Sequence, residues 1–277
     1  MPPLLALETS GGSLGVALRA ESGLLFEENV VAGAAHGKAL APLILKALSS
    51  SDLKPADLGA VAVSLGPGSW TGLRIGLSAA KALAWGANLA LLGVPSFEAL
   101  ALDAARLAPG HARLLLRDAR SEGFFLALFG PERGQTANPD TSGDRQPISK
   151  LPVSLGRLPA GGVSPRWEIG VSPRWIGECV LRLPAVIEAV EQEMQKHGNV
   201  PLAVCGDQAC LQAVSKAAGK NRWRVLDGCR HVTAGSVAEC GWQRLMRGEG
   251  LRTPAEIHKL TPLYLRASDP ELKLARK

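Results

Sequence analysis

Apolar and polar positions along the chain change period several times, and each change marks an element. Residues 4–8, 14–19 and 24–30 are short apolar runs, the first two joined by Thr9-Ser10-Gly11-Gly12-Ser13. Runs of this length with a Gly/Ser/Thr turn between them predict a β-meander. At His36 the period lengthens. Ala39, Leu40, Leu43, Ile44, Ala47 and Leu48 recur at threes and fours, predicting a helix to Ser50 with Pro42 near its first turns. Ala41 and Leu45 widen its apolar face, so this helix reads as covered on two sides.

A strand at 61–65 then breaks on Gly66-Pro67-Gly68 and gives way to a helix over 70–85, with Ser69 or Thr71 as N-cap. On that helix Gly72, Gly76, Ala79 and Ala80 form a stripe of small residues that Leu83 closes. Trp70, Leu73, Leu77 and Ala84 form an apolar stripe beside it, and Thr71, Arg74, Ser78 and Lys81 are left for water. A helix apolar over most of its circumference is covered on more than one side. One cover is its own sheet; the expected second is another chain. Strand, glycine loop and helix N-terminus together resemble an anion site. The loop lacks the lysine and the spacing of a P-loop, so its glycines are assigned to a tight corner and to close helix packing.

Further on, the pattern predicts a strand at 90–94 and a helix at 97–107 with Ser96 as N-cap. Strands follow at 112–116 and 123–129, either side of Arg117-Asp118-Ala119-Arg120. A helix at 187–197, a strand at 202–205, a helix at 207–218, a strand at 223–226 and a helix at 234–247 complete the series. The theme of the first half thus recurs, less clearly. The expected organisation is an α/β half over 1–107, a second over 108–250 and a closing segment over 251–277. An irregular Pro/Gly/Ser-rich stretch at about 130–177 contains Gly-Val-Ser-Pro-Arg-Trp twice, at 162–167 and 170–175, and reads as a surface insertion.

Composition narrows the class. With 277 residues, 46% of them hydrophobic, the chain can bury a substantial core in two domains. Residues 1–105 hold six basic and eight acidic side chains, a net −2, and the remainder holds 25 and 17, a net +8. That asymmetry suits contact with RNA or an acidic partner, or simply a basic, soluble surface. Basic clusters with interleaved aromatics, the mark of direct RNA reading, do not occur. Five cysteines without any C-x-x-C pair point to reduced, buried thiols in a cytoplasmic protein. The N-terminus lacks the basic and apolar regions of a signal peptide, and the apolar run 77–94 carries Lys81 and Gly86 and reads as helix end, turn and strand rather than a membrane span.

Several of these stretches together resemble one family. Ala-Leu-Glu-Thr-Ser at 6–10, His36 opening a helix, and GPGSWTGLRIGLSAAKALA at 66–84 are similar to the TsaB (YeaZ) family. So are Gly-Val-Pro-Ser-Phe-Glu-Ala-Leu at 93–100, Asp118-Ala119-Arg120 and Pro262-Leu263-Tyr264-Leu265-Arg266. The chain departs from the family's pattern at Trp70, where Phe is common, and at Glu122-Gly123-Phe124, where a tyrosine hydroxyl is lost. The resemblance implies an α/β fold of two related actin/RNase H-like halves, each a mixed sheet flanked by helices. It implies a bacterial factor needed for N6-threonylcarbamoyladenosine in tRNA, acting as a non-catalytic scaffold beside a catalytic paralogue, TsaD, and an ATPase, TsaE. Alone such a chain forms a homodimer; it meets tRNA indirectly, holds no cofactor by itself, and leaves ATP or ADP to the joint between subunits.

The expected partner face then comprises His36, Leu40, Leu43 and Ala47 on the first helix. On the second it comprises Trp70, Leu73, Arg74, Gly76, Leu77, Ala80 and Lys81. No metal is expected, because the five histidines include no pair four apart on a helix face. His36 has Leu40 where a second ligand would fall and reads as a polar contact at a helix start. Glu8, Thr9, Ser10 and Gly11 offer a truncated nucleotide-binding turn, or simply close a hairpin. The rival reading is an independent actin-fold ATPase or sugar kinase. It needs Glu8 on Mg²⁺, a second phosphate loop and a general base, and no residues can be assigned to the last two. A metallopeptidase reading fails on the missing histidine pair.

Overall fold

A computed structural model describes residues 1–31, 36–119, 123–131, 174–198, 200–218 and 223–265. The duplicated hexapeptide, apart from its last two residues, and the motif residues Arg120, Glu122 and Arg266 lie outside them.

The chain forms two compact units, one of residues 1–102 and 231–277, the other of residues 103–230. In the first, β1 (Leu4–Glu8), β2 (Ser13–Ala20) and β3 (Gly23–Val31) are the antiparallel meander, and β4 (Ala60–Ser64) and β5 (Ala90–Val94) extend it in parallel. The sheet order is β3-β2-β1-β4-β5. Helices α1 (His36–Ser50) and α2 (Trp70–Gly86) are the crossovers, and α3 (Ser96–Leu107) follows β5. The expected bounds of α1 and β5 hold to the residue.

Strand periodicity decides which helix covers which face. Leu5, Leu7, Val61 and Val63 point into a core with Leu40, Leu43, Ala47, Leu77 and Ala80 of α1 and α2. Their alternates point the other way, onto α6 (Ala234–Met246). There a Cβ on Gly241 would stand 2.5 Å from that of Ala62 and 3.4 Å from Leu4 Cδ1. The expected boundary at 250 is therefore corrected. Helix α6 returns to the first sheet, because its buried stripe of Val237, Ala238, Gly241 and Leu245 completes that sheet's second face. Edge strand β3 fixes its start: Asn29 Oδ1 accepts from Ala234 N at 3.0 Å and Glu27 Oε1 from Gly235 N at 2.9 Å. These contacts satisfy two N–H groups a helix N-terminus leaves open. Deeper in, Arg244 of α6 pairs with the fully buried Glu98 of α3.

The second unit repeats the first strand for strand. Strands β6 (Ala112–Asp118), β7 (Phe124–Phe129) and β8 (Arg174–Leu181) are antiparallel neighbours. After α4 (Leu183–Lys196), β9 (Leu202–Gly206) joins β6 in parallel; after α5 (Gln208–Ala218), β10 (Arg224–Val225) joins β9. The order β10-β9-β6-β7-β8 is that of the first sheet. Strand β8 revises the insertion, whose expected end at 177 falls inside a strand paired with β7. The core holds Leu114, Leu116, Leu126, Leu128, Val190 and Val204. Helix α7 (Pro254–Lys259), absent from the expected pattern, opens the closing segment with Thr253 and Glu256 as a capping box. Among the described residues no helix is long and apolar enough to cross a membrane.

Candidate interaction face

Helix α2 begins where the sequence places it. Ser69 is the N-cap, its Oγ accepting from Gly72 N at 3.2 Å, while Ser69 N donates to Ser10 O at 2.8 Å. The glycine loop is tied from its other side, with Gly66 N on Ser96 Oγ at 3.2 Å and Ser96 N on Gly66 O at 2.7 Å. Once started, the helix lies directly on the end of β1. A Cβ on Gly72 would be 2.1 Å from Thr9 O, and one on Gly76 would be 2.1 Å from Thr9 Oγ1. Only glycine permits that approach.

The expected partner face is corrected accordingly. The small-residue stripe does bring backbones together, but the second backbone is this chain's own. Gly76, Leu73, Leu77 and Ala80 of α2 and Leu40, Leu43 and Ala47 of α1 are buried in the first unit's core. They are unavailable to another molecule. Trp70 and Lys81 are also largely engaged: Trp70 is stacked on Tyr264 with ring centroids 4.0 Å apart, and Lys81 Nζ donates to His258 O at 2.8 Å. Partial burial at that contact lowers the Lys81 pKa. Of the expected set, Arg74 alone is exposed on α2. His36 opens α1 as expected, and its side chain lies outside the described residues.

What remains outside is a narrower face. On α2, Thr71, Arg74, Ser78, Ala82 and Trp85 are exposed, spaced at threes and fours in one stripe, with Trp85 72% exposed. On α1, Ala41, Pro42, Leu45 and Lys46 are exposed, with Leu45 67% exposed and Lys46 paired with Glu28 of β3. The two helices are neighbours, Ile75 Cδ1 standing 3.8 Å from where a Cβ on Gly37 would be. Trp85, Leu45 and Tyr264 were not among the expected site residues. The spacing from Thr71 to Trp85 could have found Trp85, whereas the contact of Tyr264 with Trp70 across 194 positions has no local signal.

The turn after β1 closes on itself. Glu8 is buried, and its Oε1 accepts from Ser10 N at 2.6 Å and from Ser10 Oγ, while Thr9 N donates to Ser64 Oγ at 3.3 Å. Glu8, Thr9, Ser10 and Gly11 are thus brought together with the α2 N-terminus, and the carboxylate is engaged by its own loop. In the second unit Asp118 and Asp207 meet at the ends of β6 and β9, Asp118 N donating to Asp207 Oδ2 at 2.9 Å. Among the described residues no group of three or more His, Cys, Asp or Glu could hold a metal ion. All five cysteines are buried thiols, none of them in a disulfide. Burial pushes the Cys179 thiol up to about 12, helped by Glu178, and the Cys210 thiol up to about 12, helped by Asp207 and Asp118. The hydrogen bond with Cys229 raises Cys205, with burial adding to it.

Residues 30–136 match the family model "TsaD: tRNA N6-adenosine threonylcarbamoyltransferase". The Bacillus subtilis "tRNA threonylcarbamoyladenosine biosynthesis protein TsaB" is 32% identical over 132 residues, 48% of this chain and 52% of that protein. The Haemophilus influenzae protein of the same description is 36% identical over 132 residues, 47% and 55% of the two chains. The chain therefore spans about half the length of the curated relatives it matches. The solved structure of YeaZ from Pseudomonas aeruginosa superimposes with a TM-score of 0.66 at 20% identity, covering 96% of this chain and all of that one, a likeness of fold.

Proposed function

We propose, from the likeness to the TsaB proteins and to the YeaZ fold, that the chain is a TsaB/YeaZ family member and serves tRNA threonylcarbamoyladenosine biosynthesis as a non-catalytic scaffold. Its partner is a TsaD-like catalytic paralogue, assisted by a TsaE-like ATPase; alone it pairs with a second copy. The observation that carries this reading is the outward face of α1 and α2, where Leu45 and Trp85 are more than two-thirds exposed. Large apolar side chains left outside on adjacent helices are interface material, and tryptophan is among the residues that dominate binding energy. The scaffold role draws on the sequence: without two histidines at helical spacing, the metal chemistry of the modification falls to the partner. Contact with tRNA then runs through the assembled complex, and ATP or ADP binds at the joint between subunits.

Depletion of the chain from its native cell, followed by nucleoside analysis of bulk tRNA, tests the role. Loss of N6-threonylcarbamoyladenosine, restored by the wild-type chain and not by Trp85→Glu/Leu45→Glu, is expected. An undiminished nucleoside in depleted cells would remove the role. Restoration by the double variant would remove the docking face.

A further inference from the structure

On the outward stripe of α2, one charged group is held in place more firmly than its exposure requires. The guanidinium of Arg74 lies over the Trp70 ring at 4.3 Å from the centroid and 5.8 Å from that of Tyr264, and its Nε donates to the Tyr264 hydroxyl at 3.0 Å. Trp70 and Tyr264 are themselves stacked, 4.0 Å apart and inclined by 30°. Tyr264 is anchored in turn, because its neighbour Leu263 donates its N–H to Leu65 O at 2.7 Å, beside the glycine loop. An exposed arginine ordinarily samples many rotamers; here stacking and one hydrogen bond select one. The bond uses Nε, and among the described residues neither Nη1 nor Nη2 has a hydrogen-bond partner.

The geometry points to Arg74 as a prebuilt receptor for a carboxylate, an Asp or Glu side chain of the protein that docks on α1 and α2. This inference rests on the docking reading above and names the chemistry of that face. Two parallel N–H donors in a fixed plane match a carboxylate bidentately. Because the group is ordered before binding, less conformational freedom is lost on docking. Arg, Trp and Tyr are also the residue types that concentrate binding energy at protein interfaces. A phosphate backbone fits less well. Lys81, on the same side of the helix, is turned onto His258 O, so the described residues present no row of free cations along α2.

The test is titration of the purified full chain with the purified TsaD-like protein of the same cell, for wild type and for Arg74→Gln, Arg74→Lys and Tyr264→Phe. Both Arg74 variants are expected to bind at least about tenfold more weakly, about 1.4 kcal/mol. Lysine fails with glutamine because it keeps the charge but not the fork. Tyr264→Phe, which keeps the stack and frees Nε, weakens binding about threefold, an intermediate step expected of a positioning residue rather than of the contact itself. Thermal unfolding of each lone variant should stay near wild type, since Arg74 is exposed. Wild-type affinity in both Arg74 variants overturns the carboxylate site and leaves the docking reading standing; no binding by the wild type overturns both. Arg74-dependent binding of unmodified tRNA, with the protein complex unaffected, overturns the carboxylate in favour of phosphate.

Discussion

Gly76→Ala separates an intramolecular role of the small-residue stripe from an intermolecular one. Alanine in a helix interior is ordinarily worth about 0.5–1 kcal/mol over glycine. At this position the new Cβ would stand 2.1 Å from Thr9 Oγ1 and 3.2 Å from Thr9 Cβ and Cγ2. Thr9 is fully buried at the end of β1 and cannot swing into solvent. Either the hydroxyl leaves its rotamer or α2 lifts from the sheet, and overpacking of this kind costs about 1–3 kcal/mol, more than the propensity gain. The lone chain is therefore destabilised by about 1–2 kcal/mol, which lowers its melting temperature by about 2–8 °C for a domain of this size. Thr9→Ala removes the clashing oxygen. Because that hydroxyl is buried with no hydrogen-bond partner among the described residues, its loss sacrifices no polar contact there. The double variant should recover at least about 1 kcal/mol relative to additivity. Gly72→Ala offers the control: its Cβ would meet Thr9 O, a backbone atom that Thr9→Ala leaves in place. Urea unfolding of the four variants and wild type, without any partner, measures the cycle. A Gly76→Ala chain as stable as wild type, or a Gly72→Ala chain rescued by Thr9→Ala, would refute the seating of α2 on β1.

Arg244→Met takes the cation away from the buried Glu98 carboxylate and should cost about 3–5 kcal/mol in denaturant unfolding. Cys179 and Cys210, with thiols raised to about 12, should stay unreactive toward a disulfide reagent at pH 8 until the chain is unfolded. Because the folded values exceed the ordinary 9.0, their contribution to stability is complete below pH 9 and is lost as pH rises toward 12, so unfolding midpoints should fall over that window. The Glu256 carboxyl is held low chiefly by the backbone N–H of Thr253, then by its hydroxyl. Its support for α7 is therefore present above pH 4.5 and lost as pH falls through the folded value, with amide exchange at Ile257 accelerating there while the core amides of β1 stay protected.

The regular elements were legible where local chemistry dictates them. Short apolar runs beside turn residues gave the β1–β3 meander, and three-four spacing gave α1 and α2 to within a residue. What could not be read is what depends on return contacts. Helix α6 is amphipathic in its own right, but nothing in residues 234–246 says that its apolar stripe closes the first sheet rather than the second. Strand β8 begins inside the second copy of the duplicated hexapeptide, where Pro, Gly and Ser conceal the alternation. Helix α7 has only six residues and one buried side chain, too few for a period to register, although Thr253 and Glu256 are a readable capping box.

The same distinction governs the interaction face. A helix apolar around most of its circumference must be covered more than once, and that inference holds for α2: the sheet takes Leu77, Ala80 and Ala84, β1's end takes Gly72 and Gly76, and the closing segment takes Trp70. Amphipathicity counts covers without saying who provides them. Once the chain's own contributions are removed, the apolar surface left on α1 and α2 is a few side chains rather than two broad faces. A stable complex on so narrow an apolar patch needs concentrated anchors. In the proposed docking those anchors are Trp85 near one end of the α2 stripe and Arg74, held by Trp70 and Tyr264, near the other, about 16 Å apart at a rise of 1.5 Å per residue. A partner engaging both must therefore lie along the helix, not across it.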